Sequence, residues 1–288
     1  MTRTNPTVLA VVVDPGRLAA GIVDASGDVL VRDRIGTPAR EVWRSLDQLV
    51  RRVLAARPEE VDAPVAVGVS CAAPIDLAAG SVSPASLPAW SAFPLRDHLF
   101  DLTGLPVHLD TLAGAAAEAE RWFGDMTDAS SYFTLMIDQE VESACIIGGV
   151  RLRGAHGNAG SLAHLTVDPD GPRCTCGANG CLRALVSAAA LEAEMNRPLR
   201  RATESIIERT GIMIGRAVAS AAAVFDVTTF SIGGSVIDTF GDRLLDTTRR
   251  EAASRSRLTH LGGLRIIEPS GFLQPLAAAA TVAIHGQD

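Results

Sequence analysis

The chain has 288 residues, 47% hydrophobic and 20% charged with both signs spread along it, which is enough to bury a substantial core and excludes a disordered polymer. A formal net charge of −7 with no block of consecutive Lys/Arg excludes a large basic field, so nucleic acid is not an expected partner. The apolar runs are short or broken by polar residues, so no membrane partner and a cytoplasmic location are expected.

Residues 8–13 form a β-branched run ended by Asp14-Pro15-Gly16. Residues 19–23 and 29–32 follow, separated by the turn Ala25-Ser26-Gly27-Asp28, and together these predict a three-stranded meander. Over 40–56 the apolar residues Val42, Leu46, Leu49, Val50, Val53 and Leu54 recur at helical spacing, with Thr37-Pro38 as the expected cap. A buried strand is expected at 65–69, a helix at 95–102, a short strand at 107–109 and an Ala-rich helix at 113–123. A second meander is expected at 132–137, 141–147 and 150–152, so the strand-first order occurs twice and predicts two similar α/β lobes.

Residues 154–180 are rich in Gly, Pro, Asp and Cys and predict irregular backbone that needs a staple. Helices are expected at 188–195 and 204–224, a strand at 228–232, and a turn at Gly233-Gly234-Ser235 that opens a helix through residue 250. A last strand at 266–268 and a small-residue helix at 273–284 complete the chain. The expected division is a small lobe over 1–111, with residues 273–288 a candidate to return to it, and a large lobe over 112–272 that holds the Gly/Cys-rich loop. No additional N-terminal domain is expected.

Three of the five cysteines, Cys174, Cys176 and Cys181, lie within eight residues, and Cys71 and Cys145 stand apart. An odd count so distributed points to metal binding in a reducing compartment more than to a disulfide framework. With His164 they supply one imidazole and three thiols, a ligand set suited to tetrahedral zinc rather than to magnesium or calcium. Four protein ligands leave no open position, so the metal is expected to order the loop and not to act as a Lewis acid.

The run Gly154-Ala155-His156-Gly157-Asn158-Ala159-Gly160, then His164, then Cys174-Thr175-Cys176-Gly177-Ala178-Asn179-Gly180-Cys181-Leu182, closely resembles the signature of ROK proteins, a group of repressors, sugar kinases and open reading frames. Pro74-Ile75-Asp76, Leu87-Pro88-Ala89-Trp90, Gly104-Leu105-Pro106-Val107, Trp122-Phe123-Gly124 and Ile232-Gly233-Gly234 extend the resemblance in the right order over nearly the whole chain. The resemblance implies a two-lobed actin-like ATPase (ribonuclease H-like) α/β fold, sugar and nucleotide meeting in a cleft, and a homodimer or homotetramer. It also implies a nucleotide contact at Gly233 and Gly234.

Against that pattern the chemistry departs. Family kinases carry a D-x-G-G-T phosphate loop, where glycines admit ATP phosphates to backbone N–H groups. Here Val13-Asp14-Pro15-Gly16-Arg17-Leu18 is shorter and its proline removes a donor, leaving Arg17 as an exposed turn residue or an anion contact. The second loop, G-T-G-V-G-G-G in the family, aligns with Asp138-Gln139-Glu140-Val141-Glu142-Ser143-Ala144, whose carboxylates are expected to repel a triphosphate. The family's catalytic Asp aligns with Leu112, which accepts no proton; Asp110, two residues upstream, is expected as a helix N-cap or a displaced base.

The family's sugar-binding positions fall on Ser86, Thr111, Leu112, Ser161, His164 and Arg183, of which only His164 matches. Arg183 in place of Glu favours an anionic ligand such as a sugar phosphate, or an ion pair with a neighbouring acid. The sequence therefore favours a catalytically degenerate, sugar-kinase-like protein that binds a small molecule or serves as a scaffold, with structural zinc and without ATP or magnesium. The alternative is an ATP-dependent kinase of a hexose or hexose derivative with displaced catalytic groups.

Overall fold

The computed structural model describes residues 6–269 and 274–285. In chain order the elements are β1 (Thr7–Val13), β2 (Arg17–Asp24), β3 (Val29–Gly36), α1 (Val42–Ala55), β4 (Val67–Cys71), β5 (Ile75–Asp76), β6 (Ser81–Val82), α2 (Leu95–Thr103), β7 (Val107–Thr111) and α3 (Leu112–Phe123). They continue with β8 (Tyr132–Ile137), β9 (Val141–Ile147), β10 (Val150–Arg151), α4 (Leu182–Val186), α5 (Ala188–Met195), α6 (Glu204–Phe225), β11 (Thr229–Gly233), α7 (Ser235–Arg255), β12 (Arg265–Ile267) and α8 (Pro275–Ile284).

The chain divides into two units: Met1–Thr127 with Arg153–Ala159 and Ser270–Asp288, and Asp128–Leu152 with Gly160–Pro269. In the first, a five-stranded sheet runs β3-β2-β1-β4-β7, antiparallel through the meander and parallel beyond it. Central β1 is buried throughout because it is covered on both faces. Leu9, Val11 and Val13 join the core that contains Leu46, Leu49 and Val53 of α1, whereas Val8, Ala10 and Val12 meet Ala279, Ala280 and Ala283 of α8. The edge strand β3 alternates half-buried and exposed residues along its whole length.

The alanines of α8 let it lie close on the sheet. A Cβ at Gly68 of β4 would stand 2.1 Å from the Ala279 carbonyl oxygen, so only glycine fits beneath the helix. Helix α3 belongs to this unit because Ala115 and Ala119 pack on Ala278 and Val282 of α8. The division therefore falls after Thr127, not after residue 111. Residues 153–159 also belong here: the Asn158 side chain accepts the Ile75 N–H at 2.9 Å and donates to the Ile75 carbonyl at 2.7 Å.

The second unit repeats the sheet order as β10-β9-β8-β11-β12, with the same mixture of antiparallel and parallel pairs. Its core joins Phe133, Leu135, Phe230 and Ile232 to the buried faces of α4, α6 and α7. Several local expectations are corrected. Helix α1 starts after Glu41, which sits in the left-handed region at φ 52° with no side-chain cap, while the Thr37 hydroxyl bonds the Asp14 carbonyl instead. Helix α4 spans only five residues, too few for a helical period to show in sequence. The helix after Ser235 runs to Arg255 with non-helical backbone at Gly241. Residues 270–273, including the expected start of the last helix, lie outside the described residues. Among the described residues no helix is long and apolar enough to cross a membrane.

Candidate metal centre and ligand site

The loop that ends in α4 is organised by backbone hydrogen bonds into a small hairpin. Arg173 bridges Asn179, the Cys174 N–H bonds the Ala178 carbonyl at 2.7 Å, and the Gly177 N–H returns to the Cys174 carbonyl at 2.9 Å. That turn carries Cys174 and Cys176, while Cys181 sits buried at the start of α4 and bridges Thr166. One ligand atom from each of His164, Cys174, Cys176 and Cys181 lies within 4.8 Å of the others. Cys174 Sγ is 3.6 Å from His164 Nδ1, and Cys176 Sγ is 3.6 Å from Cys181 Sγ.

Zn–S and Zn–N bonds of about 2.3 and 2.0 Å give tetrahedral ligand-to-ligand edges of roughly 3.5–3.8 Å, and the Cys174–His164 and Cys176–Cys181 edges at 3.6 Å fall in that range. A disulfide needs sulfurs about 2.05 Å apart; all five cysteines are free. Burial works to raise the Cys174 thiol, but the Cys176 N–H and thiol, His164 and Cys181 outweigh it and bring it down to about 6. Cys181 is pushed up to about 12, first by burial and then by its neighbouring thiols. The cluster thus favours one thiolate and resists the next, a balance that a bound divalent cation would reverse.

Arg183, the second residue of α4, does not stand open to an anion. Its Nε and Nη2 grip both oxygens of Glu140, the latter at 2.6 Å, and its Nη1 donates to Thr175 Oγ1 at 2.7 Å. Hydrogen bonding to Glu140 raises the guanidinium further above its ordinary range, against the effect of burial. Of the two readings open from the sequence, the ion pair is the one the fold adopts.

Asp138 has a second structural role. Its Oδ1 accepts the Ser235 N–H at 2.8 Å, at the first turn of α7, and its carbonyl accepts the Ala188 N–H at 2.8 Å from the start of α5. Gly234 makes the close approach possible: its φ is 111°, and a Cβ there would lie 2.7 Å from the Ile137 carbonyl oxygen and 2.9 Å from Asp138 Oδ2. A helix N-terminus favours an anion, and the anion present is the chain's own carboxylate. Of the acids of the β8–β9 turn, Glu140 is paired with Arg183, while Asp138 keeps its carboxylate on the Ser235 N–H.

In the first unit the β1–β2 turn is closed on itself. Asp14 and Arg17 exchange backbone bonds at 3.0 and 3.2 Å, the Gly16 N–H goes to Asp14 Oδ1 at 2.8 Å, and Pro15 has no N–H. Arg17 is exposed. The N-cap of α3 is Thr111, the last residue of β7, whose hydroxyl accepts the Gly114 N–H at 2.9 Å; Asp110, expected in that place, lies one residue earlier in β7. Asp110 is 1% exposed, and its Oδ1 accepts the Thr111 N–H at 2.7 Å. Leu112 packs its side chain against the Val8, Ala10 and Val12 cluster.

Of the remaining sequence-derived candidates, Ser86 is exposed between β6 and α2, and Ser161 is exposed three residues before His164. Ser86 and Thr111 belong to the first unit, while Ser161, His164, Arg183, Gly233 and Gly234 belong to the second. His164, Cys174, Cys176 and Cys181 come together in a group that could hold a metal ion. The Glu140–Arg183 and Asp138–Ser235 contacts span 43 and 97 residues and left no local signal in the sequence.

Comparison with known proteins agrees with this architecture. A curated N-acetylmannosamine kinase of Shigella boydii is 30% identical over 117 residues, 35% of this chain and only 40% of the relative's length. The crystal structure of the ROK hexokinase from Thermus thermophilus is 28% identical with a TM-score of 0.79, covering 96% of this chain and 97% of that one. A ROK-family glucokinase from Streptomyces griseus, solved with glucose and AMPPNP, shares the fold at a TM-score of 0.77 and 24% identity, over 96% of this chain and 98% of its own. The ROK family profile matches residues 10–260, and the chain belongs to the ROK family.

Proposed function

We propose that this ROK-family chain is a sugar-kinase-like protein that has given up phosphoryl transfer and acts as a small-molecule-binding or scaffolding protein, its cysteine loop held by structural zinc. The observation that carries the reading is the Asp138 carboxylate on the Ser235 N–H. It lies beside Gly233 and Gly234, where the family resemblance puts the nucleotide, so a phosphate there would meet a fixed negative charge in place of a free donor. Two further features support the reading. The turn at 14–17 spends its N–H groups internally, and the position of the family base is an apolar Leu112.

Kinship favours the rival: the curated relatives are N-acetylmannosamine kinases, and a structural neighbour is a hexokinase. A kinase built on this chain would have to use Asp110 as its base. Its burial and its bond to the Thr111 N–H make that carboxylate a support for the α3 cap more than a group free to meet a sugar hydroxyl.

Calorimetry with Mg-ATP and a coupled phosphorylation assay over hexoses and amino sugars separate the two. The expected result is neither heat of nucleotide binding nor turnover above background; hexose-dependent turnover that disappears in Asp110→Asn would overturn the proposal. Metal analysis after purification without added zinc is expected to find close to one equivalent, and less than about half an equivalent would count against the staple.

A further inference from the structure

The three sulfurs of the candidate metal centre differ in their access to solvent. Cys174 is 4% exposed and Cys181 is fully buried, whereas Cys176 is exposed on the turn between them. Its Sγ stands 3.6 Å from that of Cys181. The backbone beside the two sulfurs differs in the same sense. Gly177, which follows Cys176, has φ 98° and no heavy atom within 4 Å of the place a Cβ would take, so the turn has open space around it. Gly180, which precedes Cys181, is pressed on the Asp168 carbonyl, where a Cβ would stand 1.5 Å from the oxygen. Cys181 is held further by its bridge to Thr166 and by the Leu182 N–H on the Leu165 carbonyl at 2.9 Å. One sulfur therefore meets solvent with room to turn, and the other sits behind it in a fixed, buried position.

An accessible cysteine with a second sulfur at contact distance is the arrangement in which a first oxidation step is resolved as a disulfide. We propose that Cys176 and Cys181 form an oxidation site for small hydroperoxides, whose product disulfide withdraws two of the four metal ligands. Metal ligation supplies the thiolate that such a reaction needs. With hydrogen peroxide, the Cys176 thiolate attacks one oxygen, the O–O bond breaks, Cys176 becomes a sulfenic acid and hydroxide leaves. The Cys181 thiolate then attacks the sulfenic sulfur; the S–S bond forms, the S–O bond breaks and a second hydroxide leaves. Two thiolates give up two electrons, the peroxide takes them, and two protons from solvent convert the hydroxides to water.

His164 and Cys174 remain, too few to complete a tetrahedral zinc site. The disulfide takes over the link between the turn and the start of α4, while His164 is released from the hairpin. Cys71 and Cys145 are buried in strands β4 and β9 and take no part. The metal-releasing half of the proposal rests on the zinc reading above; the sulfur chemistry stands on the geometry of the pair.

The test treats zinc-loaded protein with hydrogen peroxide and follows released zinc with a chromogenic chelator, intact mass, and a peptide map after alkylation. Cys174, Cys176 and Cys181 lie in one tryptic peptide, residues 174–183, so fragmentation within it assigns the bond. The expected product has lost the mass of two hydrogens, joins Cys176 to Cys181 and leaves Cys71, Cys145 and Cys174 alkylated. About one equivalent of zinc is expected to leave per disulfide and to return with dithiothreitol and added zinc. Cys176→Ser, checked for folding by its melting curve, is expected to lose zinc to peroxide at least roughly tenfold more slowly than the parent.

Zinc released without that bond, a bond that takes Cys174 instead, a disulfide formed with zinc retained, or Cys176 carried to sulfinic acid beside a free Cys181 overturns the proposal. Where Cys176→Ser does not fold, the map of the parent decides. A chain that takes up no zinc sinks the staple and with it the metal-releasing half, while the map still reads the Cys176–Cys181 bond by itself.

Discussion

Leu112, the position to which the family resemblance assigns the kinase base, has its side chain engaged in the apolar cluster beneath α8. On the proposed reading a carboxylate at position 112 alone does not make a nucleotide site, because the 14–17 turn spends its backbone N–H groups internally and Asp138 holds the Ser235 N–H. Leu112→Asp is therefore expected to remain without turnover in the coupled assay and to lose about 1–3 kcal/mol of stability by placing a charge against an apolar cluster. Turnover in that variant would show that the phosphate-binding elements still work. The Glu194–Arg209 pair sets a pH dependence. Arg209 holds the Glu194 carboxyl below its ordinary 4.5 by hydrogen bonding, against burial. A depressed carboxylate stabilises fully above its unfolded value and loses that contribution as pH falls through the lowered folded value. With the pair partly exposed, the contribution is under about 1 kcal/mol. Melting of Glu194→Gln is expected to lie slightly below the parent at neutral pH and to converge with it well below pH 4.5.

At the scale of elements, the tightest constraint is the seat of α8 on β4. A methyl group at Gly68 would collide with the Ala279 carbonyl, which is backbone and cannot rotate away. Gly68→Ala is expected to cost about 1–3 kcal/mol, the usual penalty of overpacking, read as a lower urea midpoint with unchanged slope. An unchanged midpoint would mean that α8 shifts freely on the sheet. The meanders, the long helices and the irregular loop were legible because alternation, helical spacing and Gly/Pro content are local patterns. Helix α4 and strands β5 and β6 were not, since five or two residues carry no period. The α3 cap was misplaced by one residue because Asp110 and Thr111 are both good capping types, and only the backbone geometry selects the threonine.

For the whole molecule, the two units have separate cores, and the tryptophans Trp43, Trp90 and Trp122 all belong to the first. The metal ligands belong to the second. Chelating the proposed zinc is expected to lower the melting midpoint of far-UV circular dichroism by more than that of tryptophan fluorescence, a departure from two-state behaviour. Equal shifts in both signals would show the units unfolding as one.

By itself the sequence determined the family, the order of most elements and the candidate Cys3His cluster, because that set falls within eighteen residues and its chemistry depends on residue type more than on distant packing. Only the tertiary structure decided what the charged residues do: Glu140 takes Arg183, Asp138 takes the start of α7, and Glu194 takes Arg209. The reason is physical. A side chain's charge is written in its residue type, but its partner is chosen by which strands and helices the fold brings within hydrogen-bond reach, and that choice is made across tens of residues.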